Sequence, residues 1–178
     1  EAGTSFSRAT VAIEGKKYAL TLPVPGAFNL YNALCAIACA QAAGVEPAVS
    51  IQALASFGGA PGRMQQIDAG QPFAVYVDFT VTPVAYERTL TSLRSALKGS
   101  GRLLVLTGSC GDRMPEKRPL VGAICSKLAD IMVVTNEDPY TEDPEKIIDE
   151  VLSGITDQPI IRGRDNYRPS MQKACVRI

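Results

Sequence analysis

Hydrophobic and polar positions alternate with a period of two over the first two dozen residues, where "ATVAI" and "YALTLPV" flank the polar "EGKK". Alternation on both sides of a short polar break predicts a β-hairpin. The period then lengthens. In "PGAFNLYNALCAIACAQAAG", Leu30, Ala33, Leu34, Ile37 and Ala38 recur at three- and four-residue spacing. This predicts a helix from about Asn29 to Ala43, with Gly44 placed to cap its end. A shorter helix is expected near Val49 to Phe57, followed by the breaker cluster "GGAPGR". That cluster marks a domain boundary, with residues 1–61 before it and 62–178 after it.

Beyond the boundary strand and helix patterns take turns. "FAVYVDF" reads as a strand, Tyr86, Leu90, Leu93 and Leu97 as a helix, and "RLLVLTG" as a strand. Leu120, Val121, Ile124, Cys125 and Leu128 mark the next helix, "DIMVVT" the next strand, and Ile147, Ile148, Val151 and Leu152 another helix. Asp143 stands at the N-cap of that last helix and Pro144 at its first position. "PIIRG" and a final amphipathic segment follow. Such alternation predicts an α/β fold with a mainly parallel sheet covered by helices, with ligands bound beyond the carboxyl ends of the strands. "GSCGDR" and "NEDPY" each follow a strand directly, so both are expected on one rim.

Composition narrows the chemistry. Lys plus Arg and Asp plus Glu number 18 each in 178 residues, and no basic run interleaves with aromatics, which argues against nucleic-acid binding. The apolar stretches are short, and the start "EAGTSFSRAT" has neither Met nor a basic-then-apolar leader. A soluble, cytoplasmic protein with no membrane partner is the expectation. Five cysteines, Cys35, Cys39, Cys110, Cys125 and Cys175, are never spaced as CxxC and are expected as buried reduced thiols. Histidine is absent, which excludes Ser-His or Cys-His nucleophilic pairs and His-based metal sites.

Several clusters carry alternatives. "GSCGDRMPEKRP" lacks the Lys-Ser/Thr of a Walker loop, but offers glycines at 108 and 111, an outward Arg113 and a helix start near Lys117. It suits either an anion-binding loop or a solvated turn. Glu137, Asp138, Glu142 and Asp143 cluster ahead of a helix and complement its dipole. Since Asp143 and Pro144 already account for the cap, Glu137 and Asp138 are spare carboxylates that suit an ammonium group. Asp78 contacts a sugar hydroxyl or caps the following helix. Asn29 and Asn32 cap a helix start or read an adenine edge. Arg63 is a surface arginine or, in a cleft, a phosphate contact.

Taken in order, "PGAFNLYNALCAI", "PGRMQ", "VDFTVTPVAYERTL", "GSCGDRMPEKRPLVGAI" and "TNEDPYTEDPEKIIDEVLSGI" resemble the Mur ligases of the MurE type. The resemblance implies the end of a P-loop-type central ATPase domain, contributing the hairpin and first helices, and then a truncated Rossmann-like C-terminal domain. It implies ATP as co-substrate with Mg2+ held by central-domain residues outside this sequence. Its substrates would be UDP-MurNAc-L-Ala-D-Glu and a free diamino acid, L-lysine or meso-diaminopimelate, joined through an acyl phosphate. The amino-terminal domain and the rest of the central domain would be its partners. A fragment of this kind is expected to be inactive alone and to hold no catalytic residue. Motif matching places Asn32, Arg63 and Asp78 on ATP, and Arg113, Glu137, Asp138, Pro139 and Tyr140 on the incoming amino acid. The family signature Asp-Asn-Pro-Arg of the diaminopimelate-adding enzymes reads here with Asp138 for its Asn and Tyr140 for its Arg, which favours lysine. Val81 replaces the family's His in Tyr-Ala-His-Thr-Pro. The rival function is a non-catalytic module that binds an amino acid or nucleotide.

Overall fold

The computed structural model describes residues 3, 5–99 and 101–155; "PIIRG", the final amphipathic segment and Cys175 lie outside them. Its contacts divide the chain into two compact units, Glu1–Thr80 with Thr91–Gly99 and Val81–Leu90 with Ser100–Ile178.

The first unit opens with the expected hairpin. Strands β1 (Ser7–Ile13) and β2 (Lys16–Leu22) pair antiparallel from Ser7 with Leu22 to Ile13 with Lys16. The register leaves only Glu14 and Gly15 in the turn, at φ of 49° and 78°. Positive φ at both central residues defines the turn whose twist matches that of the flanking strands. Val11, Leu20 and Leu22 point to one side and form a core with Val24, Ala33 and Ile37. Helices α1 (Phe28–Ala42) and α2 (Pro47–Ala55) supply its other wall. Gly44, at φ 86°, ends α1: its N–H donates to the Gln41 carbonyl at 2.9 Å while the Val45 N–H donates to that of Ala40 at 2.9 Å. This is the six-to-one and five-to-two pattern of a left-handed cap. Cys35 and Cys39, expected inside, are exposed free thiols on the outer side of α1, and among the described cysteines only Cys125 is fully buried. The cause is geometric: Ala33 and Ile37 take the buried stripe, and positions 35 and 39 fall about half a turn away from it.

Two short strands complete this unit. "FAVYVDF" is extended only at β4 (Val75–Val77), which pairs antiparallel with β3 (Gln65–Ile67). The sequence "QQI" is too short and polar to announce a strand, so the parallel alternation expected from residue 73 onward begins one strand later.

From Val81 onward the elements come in the expected order, with the first helix beginning in the second unit and its end, from Thr91, in the first. Helix α3 (Pro83–Ala96) begins where the Ala85 N–H donates to Thr82 Oγ1 at 3.3 Å. It is followed by β5 (Leu104–Thr107), α4 (Lys117–Leu128), β6 (Ile131–Val134) and α5 (Pro144–Leu152). Strands β5 and β6 pair in parallel, Leu104 with Ile131 through Thr107 with Val134. Joining parallel neighbours demands a crossover, and α4 provides it. Leu90, Val121 and Cys125 form the core, packed against Tyr86, Leu103, Val105, Ile124, Leu128 and Met132. Helices α4 and α5 meet at glycine: a Cβ on Gly122 would lie 2.0 Å from the Val151 carbonyl oxygen, and one on Gly154 1.9 Å from that of Pro119. Among the described residues no helix is long and apolar enough to cross a membrane.

Candidate functional site

Parallel pairing brings the carboxyl ends of β5 and β6 side by side, and the loops leaving them are knitted together. The Thr135 N–H donates to the Thr107 carbonyl at 2.9 Å, and the Gly111 N–H to that of Asp138 at 2.9 Å. Glycine is required at 108 and 111 by this approach rather than by the turn. A Cβ on Gly108 would sit 2.7 Å from the Thr135 oxygen, and one on Gly111 1.8 Å from the Pro139 oxygen. The left-handed turn positions are Asp112 (φ 53°), Met114 (φ 32°) and Tyr140 (φ 48°), none of them glycine. Such conformations are held by their surroundings. Here Asp112 accepts from Thr141 Oγ1 at 2.7 Å and from the Thr141 N–H at 3.3 Å. Its own N–H donates to Glu142 Oε1 at 2.6 Å.

Under these loops lies Arg118, a buried side chain for which we had no sequence expectation. Its terminal nitrogens donate to both oxygens of Glu142 at 2.7 and 2.8 Å, to Glu150 at 2.6 Å and to the Cys110 carbonyl at 3.1 Å. The fork-to-carboxylate geometry is the strongest available to arginine. The guanidinium and the Asp112 N–H together draw the Glu142 carboxyl down to about 2. Glu142 thus neutralises Arg118, whereas Asp143 caps α5 by accepting from the Glu145 N–H at 3.0 Å.

The remaining charges differ from these. Arg113 and Asp138 are both exposed, and neither side chain has a hydrogen-bond or ion-pair partner among the described residues. Glu137 is half-buried against the Cys110 thiol, which burial pushes up first and the neighbouring carboxylate pushes further. Pro139 packs its carbonyl on Gly111, and Tyr140 projects outward, 61 % exposed. The second unit therefore brings Arg113 and residues 137–140 onto one rim.

Asn32, Arg63 and Asp78 lie in the first unit. Asn29 turns its amide back to the Pro25 carbonyl at 2.7 Å and accepts from Asn32 Nδ2 at 3.0 Å, so neither caps α1 by a side-chain bond. Arg63 donates to the Phe79 carbonyl at 3.0 Å and stacks 5.0 Å from the centre of the Phe79 ring. Asp78 accepts from the Met64 N–H at 2.7 Å and from Thr80 Oγ1. It fastens the turn that carries Arg63 and leaves the capping of α3 to Thr82. Val81, at the divergent position, receives Lys117 Nζ on its carbonyl at 3.3 Å.

Residues 62–175 match the family model described as Mur ligase, glutamate ligase domain. The chain belongs to the Mur ligases, as its motif order implies. Among relatives, it is 42% identical over 136 residues to UDP-N-acetylmuramoyl-L-alanyl-D-glutamate--2,6-diaminopimelate ligase of Syntrophomonas wolfei, covering 76% of this chain and 27% of that one. It is 41% identical over 133 residues to the UDP-N-acetylmuramyl-tripeptide synthetase of a Roseiflexus species, covering 75% and 26%. A solved UDP-N-acetylmuramoyl-L-alanyl-D-glutamate--2,6-diaminopimelate ligase aligns with a TM-score of 0.53 at 30% identity, over 88% of this chain and 31% of that one. The chain spans about a quarter of the length of the curated relatives it matches. The α/β fold expected from strand and helix alternation, with its parallel pair, is that of these neighbours.

Proposed function

We propose that this chain forms the amino-acid-binding lobe, and a wall of the ATP site, of a MurE-type ligase. Such a ligase joins a diamino acid to the D-glutamyl carboxyl of UDP-MurNAc-L-Ala-D-Glu: ATP phosphorylates that carboxylate, giving an acyl phosphate and ADP, and the amine displaces the phosphate. The observation that carries the reading is the pair of opposite charges, Arg113 and Asp138, without partners among the described residues and held on one rim by interlocked loops. An amino acid presents a carboxylate for a guanidinium and an amine for a carboxylate. Arg113 binds the carboxylate, Asp138 and Glu137 face the distal ammonium, Pro139 sets the loop against Gly111, and Tyr140 stands where a second guanidinium would have held a second carboxylate. The preferred substrate is accordingly L-lysine rather than meso-diaminopimelate.

On the nucleotide side the proposal assigns Asn32 to adenine, Arg63 to phosphate and Asp78 to ribose, with the domain boundary between residues 61 and 62. Arg63 retains donors beyond the one used on Phe79, and each Asp78 oxygen retains a lone pair, so both remain able to bind. No group of three or more His, Cys, Asp or Glu side chains is placed to hold a metal among the described residues, and Mg2+ is assigned no ligand on this chain.

Calorimetric titration of the chain with L-lysine, meso-diaminopimelate and ATP tests the reading. Lysine should bind more tightly than diaminopimelate. Arg113→Ala should weaken both amino acids by roughly tenfold or more, as expected for loss of a charge-assisted pair, and leave ATP unaffected. Equal loss for amino acids and ATP, or tighter binding of diaminopimelate, would refute it.

A further inference from the structure

Each of the two loops of the rim has a residue in a left-handed conformation that a side chain disfavours, Asp112 and Tyr140. Something beneath must over-determine their shape. Arg118 has the required connections. Its four hydrogen bonds reach the Cys110 carbonyl in the first loop, Glu142 at the end of the second and Glu150 on α5, the acidic partners lying 24 and 32 residues away in sequence. Glu142 Oε1 is shared between the guanidinium and the N–H of Asp112, the residue next to Arg113. Asp112 in turn holds Thr141, the residue next to Tyr140. Arg113 and the 137–140 segment are therefore joined through one buried fork, with no atom of Arg118 exposed to solvent.

We propose that Arg118 is the positioning residue of the amino-acid site, setting the separation between Arg113 and Asp138 without touching the substrate; this rests on the proposed amino-acid reading of the rim. The guanidinium cannot be replaced by charge alone. Lysine has three donors at one point, whereas Arg118 makes four bonds from two nitrogens and straddles both oxygens of Glu142. A stabilising role and a positioning role differ in consequence. A stabiliser, once removed, lowers the melting temperature while the molecules that remain folded bind as before. A positioning residue, once removed, changes affinity in the folded population, because misplacing a binding group by about an ångström is itself costly.

The test uses Arg118→Lys and Glu142→Gln in the 178-residue chain, studied below their melting temperatures. Lysine affinity is read by calorimetry, and exchange of the Asp112 and Thr141 amides by NMR. Arg118→Lys should weaken lysine binding by roughly tenfold and speed both loop amides at least about as much, with the helical amides of α4 unchanged. Glu142→Gln should move both readouts in the same direction, and decides the matter should Arg118→Lys fail to fold. Arg113→Ala should weaken binding with loop exchange unchanged. A lower melting temperature with unaltered affinity and loop exchange in either folded variant would overturn the proposal. If the unsubstituted chain binds neither lysine nor diaminopimelate, the amino-acid reading falls, and the exchange data alone then decide whether Arg118 positions the loops.

Discussion

At the scale of single residues, neighbours in sequence have opposite fates. Arg113 and Arg118 belong to one polar stretch; the first is exposed and unpaired among the described residues, the second fully buried and bound four times. Residue type alone could not separate them, because the carboxylates that neutralise Arg118 come from beyond β6 and from α5. The pairing has a pH signature. Glu142 ionises near 2 in the fold against an ordinary 4.5, so the unfolded chain binds the proton more readily. The stabilisation from Glu142 is therefore complete above about pH 4.5 and is lost as pH falls toward 2. Melting temperature measured across that window should decline, and Glu142→Gln should flatten the decline. The thiols offer a second check. Burial pushes Cys125 up to about 12, while Cys35 and Cys39 are exposed. Alkylation at pH 8 followed by mass spectrometry should label Cys35 and Cys39 first and Cys125 only on unfolding. Early labelling of Cys125 would contradict the packing of α4.

At the scale of elements, boundaries follow local chemistry where the cause is local. The Gly44 cap, the Asp143 N-cap with Pro144 and the hairpin about "EGKK" all lie within a few residues of the ends they define, so they were legible in sequence, whereas the register that leaves Glu14 and Gly15 alone in the turn was not. Asp143→Ala should cost about 1 kcal/mol, the ordinary value for a lost N-cap, in chemical denaturation. Glycines 108, 111 and 122 are different. Gly108 and Gly111 have a turn-like context that suggests backbone freedom and Gly122 lies inside α4, yet at all three what excludes a side chain is the backbone of a distant segment. Gly111→Ala places a methyl on the Pro139 carbonyl and Gly122→Ala one on that of Val151. Each should destabilise by roughly 1–3 kcal/mol or more through forced backbone shifts. Gly111→Ala should also weaken lysine binding, because the Pro139 carbonyl it strikes belongs to the rim. The β3–β4 pair marks the reverse limit, since a strand of "QQI" has no periodicity to read and exists only because β4 lies beside it.

At the scale of the whole molecule, the candidate residues fall into two sets, Asn32, Arg63 and Asp78 in one compact unit and Arg113 with 137–140 in the other. If the proposed ligase reading holds, each set binds its own small molecule while the joining reaction needs groups that neither supplies. The chain by itself should then form no amide from ATP, UDP-MurNAc-L-Ala-D-Glu and lysine, as a product assay would show, although lysine binding is measurable. The sequence by itself determined the order of elements apart from β3, the ends set by Gly44 and Asp143, and the placing of two polar loops after adjacent parallel strands, because periodicity and capping are local properties. Its motif series was also sufficient to indicate the family. Only the tertiary structure decided which charges are spent on the fold and which stay exposed without a partner among the described residues. That division depends on carboxylates brought to Arg118 from 24 and 32 residues away, whose hydrogen bonds to the guanidinium offset the cost of burying it.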